Sequence, residues 1–194
     1  MNNFAFIENS LDKNTKNYSN HINSAINMLK NSYKDLSYIS ENEKISYLKK
    51  EINLSKFLIQ RIDFFNTVAQ TKEKKISHNI EKNIYIYMNE TELERLIDNN
   101  ISNAVKHSDS NSEILIKLHS INKLATLKFK SSSKEIKNKD MIFEKNFQEQ
   151  IYSLKGLGLG LFMVKSICIK NNITYKVEYK DGFNVFIYRF KDID

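Results

Sequence analysis

The sequence predicts an α+β fold, and three features lead to this prediction. Residues 54–72 and 90–107 carry apolar side chains at the three- and four-residue spacing of amphipathic helices. Residues 113–130 contain two runs of alternating apolar and polar side chains, the pattern of strands with one buried face. Further along, Asp181-Gly182 separates two strand-like runs and predicts a tight hairpin. Helices and strands are therefore expected to share one core.

The composition fits an intracellular chain with one full domain and a helical appendage, since the chain has 194 residues. No apolar run approaches the ~20 residues of a membrane span. Cys168, the single cysteine, lies in an apolar helical run, which excludes a disulfide framework and predicts a buried thiol. The net charge is +7, but the lysines are interleaved with Asp, Glu and Asn. We therefore expect no nucleic-acid partner and no membrane contact by this chain.

The first 42 residues have the pattern of a helical hairpin, most of it the second helix. From residue 22 the apolar positions step by four and three residues, which is the seam of a coiled coil or a four-helix bundle. These seam residues are Ile22, Ile26, Leu29, Tyr33 and Leu36.

The remaining elements are expected in a regular order. In the helix over 54–72, the side chains that face inward are Leu54, Phe57, Leu58, Ile62, Phe65 and Val68. The elements that follow are strands near 76–80 and 83–88, a helix over 90–107, strands over 113–119 and 123–130, a short helix and mobile lid over 139–155, a helix ending near Lys170, and strands over 174–180 and 183–190.

The helix over 90–107 carries an unusual polar face. Asn99, Asn103 and Lys106 lie at i, i+4 and i+7, roughly opposite its apolar stripe. Asparagine is a mediocre helix former, so two of them one turn apart predict a role beyond structure. Amide oxygens suit a hard cation, and a lysine suits phosphate. A solvated polar face is the alternative interpretation.

A glycine-rich turn leads into the last predicted helix. Three of the four glycines stand at alternate positions in Gly156-Leu157-Gly158-Leu159-Gly160-Leu161. Such a turn lets a ligand approach the backbone closely, and the following helix N-terminus presents free N–H groups and a positive dipole end. This arrangement predicts a phosphate site, with a flexible loop before a core helix as the alternative.

The two motifs together resemble the asparagine box and second glycine box of sensor histidine kinases, which belong to the Bergerat-fold ATPases. Ile142-Phe143-Glu144 with Phe147 is similar to the phenylalanine box of the family, and residues 51–58 to the segment that leads into its catalytic domain. The resemblance implies a Bergerat-type α/β sandwich, a mixed sheet with helices on one face. It also implies a dimerisation hairpin over 1–42 and a catalytic domain over 43–194.

The resemblance also implies a protein histidine kinase that uses Mg-ATP. Asn103 would supply an oxygen to Mg²⁺ with Asn99 supporting it, and Lys106 and His107 would contact the phosphates. The backbone of Gly156, Leu157, Gly158, Leu159, Gly160 and Leu161 would wrap the phosphate chain. The γ-phosphate would pass to a histidine on a dimerisation helix.

One position departs from the family pattern. The family has an aspartate, followed by glycines, that accepts a hydrogen bond from the adenine amino group. Here Ser131 stands in the place of the aspartate, in a serine run without glycine. Losing a charge-assisted hydrogen bond costs on the order of 1.5–3 kcal/mol, or about one to two decades of affinity. Weakened adenine recognition is therefore expected.

The acceptor histidine is expected outside this chain, just before Met1, because the family motif H-E-x-x-T-P is absent. His21 lies in the right region and is the alternative acceptor. On the first interpretation the chain alone does not autophosphorylate. We expect a cytoplasmic location, for instance as the cytoplasmic end of an inner-membrane sensor, a homodimer through the N-terminal helices, and a response regulator as partner.

Two other functions stay open at this point. The altered Ser131 position also fits a degenerate, non-catalytic nucleotide-binding regulator of a kinase or of a response regulator. A serine kinase acting on a partner protein is a third class within the family, but its members lack the helical hairpin.

Overall fold

The computed structural model describes residues 48–145 and 158–193. The predicted hairpin over 1–42, Phe147, the predicted lid over 148–155, Gly156 and Leu157 lie outside these residues. Along the chain the elements are β1 (Lys50–Asn53), α1 (Leu54–Gln70), β2 (Lys75–Ile80), β3 (Tyr85–Met88), α2 (Glu90–His107), β4 (Glu113–Ile121), β5 (Leu124–Ser132), a 3-10 turn (Met141–Phe143), α3 (Gly160–Lys170), β6 (Thr174–Lys180) and β7 (Phe183–Lys191).

The strands form a five-stranded mixed sheet in the order β2-β4-β5-β7-β6 and a separate ribbon of β1 with β3. In the large sheet β2 runs parallel to β4, and the other pairs are antiparallel. The α+β fold with a mixed sheet is confirmed.

One face of the large sheet is apolar because the side chains of each strand alternate between its two faces. On β4, Ile114, Ile116 and Leu118 are buried, and β5 adds Leu127 and Phe129 beside them. The stripe of α2 that was predicted to be apolar is also buried; it consists of Leu93, Leu96, Ile97, Ile101, Ala104 and Val105. Cys168 on α3 is buried as predicted, and burial raises the pKa of its thiol to about 12. None of the helices in the described ranges is long and apolar enough to cross a membrane.

Asn53 caps the N-terminus of helix α1, and its side-chain oxygen accepts a hydrogen bond from the N–H of Lys56 at 2.9 Å. Its inward positions differ from the prediction near the C-terminal end. Val68 is 40% exposed, and Ala69 is buried in its place. The buried apolar positions are 54, 58, 62 and 69, so only the last turn of the stripe differs, by one residue or about 100°, from the predicted one. Phe57 and Phe65 are half-buried.

The end of α1 leads to a first prediction, because Glu73 follows the helix with φ of 55°. The N–H of Lys74 donates to the carbonyl of Ala69 at 3.0 Å, which closes the helix in a left-handed cap. A side chain disfavours this conformation by roughly 1–2 kcal/mol, and glycine does not. We expect Glu73→Gly to raise the free energy of unfolding by about 0.5–1 kcal/mol in urea titrations. Glu73→Ala removes the charge but keeps the strain, and an equal gain in that variant would contradict the explanation.

Candidate nucleotide site

The first part of the candidate site is the polar face of α2. Asn89 caps this helix, its side-chain oxygen accepting a hydrogen bond from the N–H of Glu92 at 3.1 Å. Asn99, Asn103 and Lys106 are half-buried on the face away from the buried stripe, and His107 is exposed at the last turn. The predicted helix and its two-faced character are confirmed, whereas the roles of these side chains remain predictions.

The second part is the chain that leads into α3. Gly158 has φ of 66°, a conformation that glycine adopts without strain. Leu159 is buried, and Leu161 packs against the cluster of Ile142, Phe143 and Val177. Leu159 and Leu161 therefore anchor the start of α3 in the core.

The two parts meet at Asn99 and Gly160. A Cβ atom on Gly160 would lie 2.3 Å from Oδ1 of Asn99, far inside contact distance. The amide nitrogen of Asn99 donates to the carbonyl of Arg95 at 2.8 Å, which directs the oxygen toward α3. The polar face of the asparagine helix and the first residue of the glycine-led helix are therefore in direct contact.

A buried polar pair that the sequence analysis missed holds α2 on the sheet. The hydroxyl of Tyr188 on β7 donates to Oδ1 of Asn100 at 2.9 Å, and the amide nitrogen of Asn100 donates to the carbonyl of Leu96 at 2.8 Å. Burial is the main cause that raises the pKa of Tyr188 well above its ordinary value, with a further contribution from Cys168. Asn100 lies four residues after Leu96, within the apolar stripe, and a polar residue at that spacing indicates a buried hydrogen bond.

Ser131 is buried near the end of β5, directly opposite Ile114 on one side and Asn184 of β7 on the other. The sequence analysis did not single out Asn184. Its amide nitrogen donates to Oγ of Ser133 and to the carbonyl of Lys134, each at 2.8 Å, and its oxygen accepts from the N–H of Ile136 at 3.2 Å. Because three hydrogen bonds come from one buried side chain, the segment after Ser131 is held to β7 without glycine.

The predicted short helix after residue 139 is a 3-10 turn. Phe143 packs edge-on against Tyr175, with 4.9 Å between ring centroids, and against Phe186. Glu144 forms an ion pair with Lys165 of α3 at 2.7 Å, and this hydrogen bond raises the pKa of Lys165. The turn and α3 are therefore joined by both an apolar and a charged contact.

The side chains near the asparagine helix suit a magnesium ion held partly by phosphate. Residues 48–145 and 158–193 contain no group of three or more His, Cys, Asp or Glu side chains that would hold a metal by themselves. Mg²⁺ bound with phosphates typically takes only one or two protein oxygens. The amide oxygens of Asn99 and Asn103 fit that requirement.

A mixed sheet with an asparagine-bearing helix against a glycine-led one is an arrangement that suits the phosphate chain of a nucleotide. The chain belongs to the family described as histidine kinase-, DNA gyrase B-, and HSP90-like ATPase, whose pattern matches residues 88–192. Within that family it is similar to the ATP-binding catalytic regions of sensor histidine kinases, as the motifs indicated.

Individual relatives agree with this assignment. The sensor protein DltS of Streptococcus agalactiae is 28% identical over 158 residues, which cover 77% of this chain and 40% of DltS. The catalytic domain of histidine kinase ThkA superposes with a TM-score of 0.68 at 18% identity, over 74% of this chain and 95% of that domain. ThkA in complex with the response regulator TrrA gives a TM-score of 0.74 at 19% identity, over 97% of this chain and 57% of that chain. The chain thus spans less than half of its curated relative DltS.

Proposed function

We propose that this chain binds Mg-ATP between the polar face of α2 and the glycine-rich turn before α3, and that it transfers the γ-phosphate to a histidine on a dimerisation helix. The observation that carries the proposal is the contact between Asn99 and Gly160, because it joins the two motifs in one site. Phosphoryl transfer needs little covalent chemistry from the protein, so positioning and charge neutralisation are the main tasks of such a site.

Each motif has a defined role in this proposal. Asn103 supplies an amide oxygen to Mg²⁺, and Asn99, oriented by the carbonyl of Arg95, supports it. Mg²⁺, when bound, neutralises the charge of the phosphate oxygens. Lys106 and His107 contact the phosphates, and the backbone of Gly156–Leu161 wraps the phosphate chain at the positive end of α3.

The resemblance puts Ser131 in the place of the family's adenine-binding aspartate, and we infer that it contacts the base more weakly. A serine hydroxyl is neutral, so the lost charge-assisted bond lowers affinity by about one to two decades. Asn184 keeps the following segment in place, which favours a weakened base site over an absent one.

The wider assembly follows the relatives. A histidine kinase of the same fold, ThkA, has been solved in complex with a response regulator, which supports a response regulator as the partner of this chain. We further propose a dimerisation hairpin over 1–42, a catalytic domain over 43–194, a homodimer through that hairpin, and a location in the cytoplasm.

The proposal is tested by supplying the acceptor. The full chain is mixed with Mg²⁺, ATP labelled on the γ-phosphate, and a separate dimerisation hairpin from DltS, after sedimentation has established that the two associate. We expect acid-labile phosphate on the histidine of the hairpin and none on the chain. Asn103→Ala is expected to abolish the label because the metal loses its protein oxygen.

Ser102→Ala is the matched control, because Ser102 is exposed on the same helix next to Asn103. This variant is expected to transfer phosphate to the hairpin at the same rate as the unaltered chain. An associated hairpin that stays unlabelled would contradict the proposal, and so would a transfer rate unchanged by Asn103→Ala. If this chain itself becomes labelled and His21→Gln removes that label, the acceptor is residue 21.

A further inference from the structure

The outer face of the five-stranded sheet, opposite the buried face of Ile114 and Phe129, collects positive charge. Strand alternation places on this outer face the residues Lys117, Lys128, Lys130, Lys176, Lys180, Arg189 and Lys191. The acidic side chains at outward positions of β4 to β7 are Glu113 and Glu178, and Glu178 already pairs with Lys176. The outer face therefore has a large excess of positive charge.

Some of these charges repel one another directly. Lys117 and Lys128 are opposite each other on β4 and β5. Lys128 and Lys176 flank Ile187 from its two neighbouring strands, so one strand separates these two like charges. Like charges opposite one another destabilise a sheet, so this arrangement favours an anionic binding partner that relieves the repulsion.

Exposed aliphatic side chains border the same face. Ile121 and Leu124 are paired across the β4–β5 hairpin and are 64% and 44% exposed. Lys191 is the cross-strand neighbour of Leu124 on β7. Aliphatic side chains beside cations are the composition with which proteins bind the interface of an anionic bilayer.

We propose that the outer face of the five-stranded sheet binds an anionic lipid surface. The cations are spread over four strands about 4.8 Å apart, so they match an extended array of charges better than one phosphate group. Arg189 is the only arginine among them, whereas recognition of a single phosphate favours clustered arginine forks. The proposal does not depend on the nucleotide site.

The proposal departs from the sequence-based expectation that this chain makes no membrane contact. In sequence order the lysines alternate with acidic and polar residues, and the charge pattern looks mixed. Folding into strands sends every second residue to the same face, so the positive charges separate from most of the acidic ones.

The test is flotation of the full chain with vesicles of phosphatidylcholine, alone or with about a third phosphatidylglycerol, at about 0.1 M salt. We expect binding only to the phosphatidylglycerol vesicles, and weaker binding as salt is raised. Lys117→Glu is expected to weaken it about tenfold or more, since each charge near the surface contributes about 1 kcal/mol. The variant places Glu opposite Lys128, so its melting temperature is expected to be unchanged or higher.

Lys56→Glu is the matched control: it changes the net charge equally, at an exposed position of α1. It is expected to weaken flotation much less, and Ile121→Ser with Leu124→Ser is expected to reduce flotation at low and high salt. If the chain does not float with phosphatidylglycerol vesicles, the proposal is overturned. It is also overturned if Lys56→Glu weakens vesicle binding as much as Lys117→Glu does. Retention on immobilised polyglutamate without vesicle binding would assign the face to acidic proteins and also overturn it.

Discussion

Gly160→Ala is expected to lower the affinity for Mg-ATP by about tenfold to hundredfold while the protein stays folded. The added methyl group would lie 2.3 Å from Oδ1 of Asn99, and the amide of Asn99 is the mobile part that has to move away. Alanine is a better helix former than glycine by about 1 kcal/mol, which offsets part of the steric cost to stability. Calorimetric titration with ATP and urea unfolding measure the two effects separately.

Gly182→Ala is the matched control for this experiment. Gly182 has φ of 81° in the β6–β7 turn, and no atom lies within 4 Å of the position of its added Cβ. This variant is therefore expected to lose stability through backbone strain and to keep its nucleotide affinity.

The cause of the Gly160 effect is tested by a double variant. In Asn99→Ala the steric conflict is absent, so adding Gly160→Ala is expected to lower affinity little further. Fully additive losses would contradict the proposed contact, and so would unchanged affinity in Gly160→Ala alone.

Glu92→Ala is expected to destabilise the fold by about 2–3 kcal/mol. Glu92 is a fully buried residue in the first turn of α2. Its carboxylate contacts Nζ of Lys170 and the amide nitrogen of Asn171, each at 2.8 Å, and so joins the start of α2 to the end of α3. Lys170 is one-third exposed, so in the variant water solvates part of its unpaired charge. The expected loss of stability is therefore smaller than for a fully buried ion pair.

Urea unfolding of Glu94→Ala provides the comparison, since Glu94 stands on the same helix, is about half exposed and pairs with Arg61 at 3.1 Å. Because Glu94 is open to solvent, its pair with the half-buried Arg61 is expected to contribute about 1 kcal/mol or less. A loss in Glu92→Ala no larger than in Glu94→Ala would show that the buried carboxylate does not join the two helices.

Local pattern was enough to predict most of the elements. The stripe of α2, the alternation on β4 and the Asp181-Gly182 turn each follow from spacing within a few residues, and all three are present. The exposed Val68 was predicted wrongly. Which side chains of the last helical turn are buried depends on the elements packed against that turn, and periodicity alone does not describe those elements.

Within the candidate site, the sequence distinguished the side chains that stand out from their surroundings. Asn99 and Asn103 lie one turn apart on the polar face of an amphipathic helix, and Gly158 and Gly160 belong to a rare cluster of glycines. Asn184 and Tyr188 have no such contrast, because asparagine and tyrosine in a strand are unremarkable until their partners on another element are known. Their roles depend on contacts across 50 and 88 residues of chain, to Lys134 and Asn100.

By itself, the sequence determined the α+β class, the two motifs and their order, because periodicity, glycine conformation and turn chemistry are local properties. Only the tertiary structure decided that Asn99 contacts Gly160, that Glu92 is buried against Lys170, and that the lysines of four strands share one face. The physical reason is that burial and charge density depend on which distant segments pack together, and strand pairing sets the separation of charges in space.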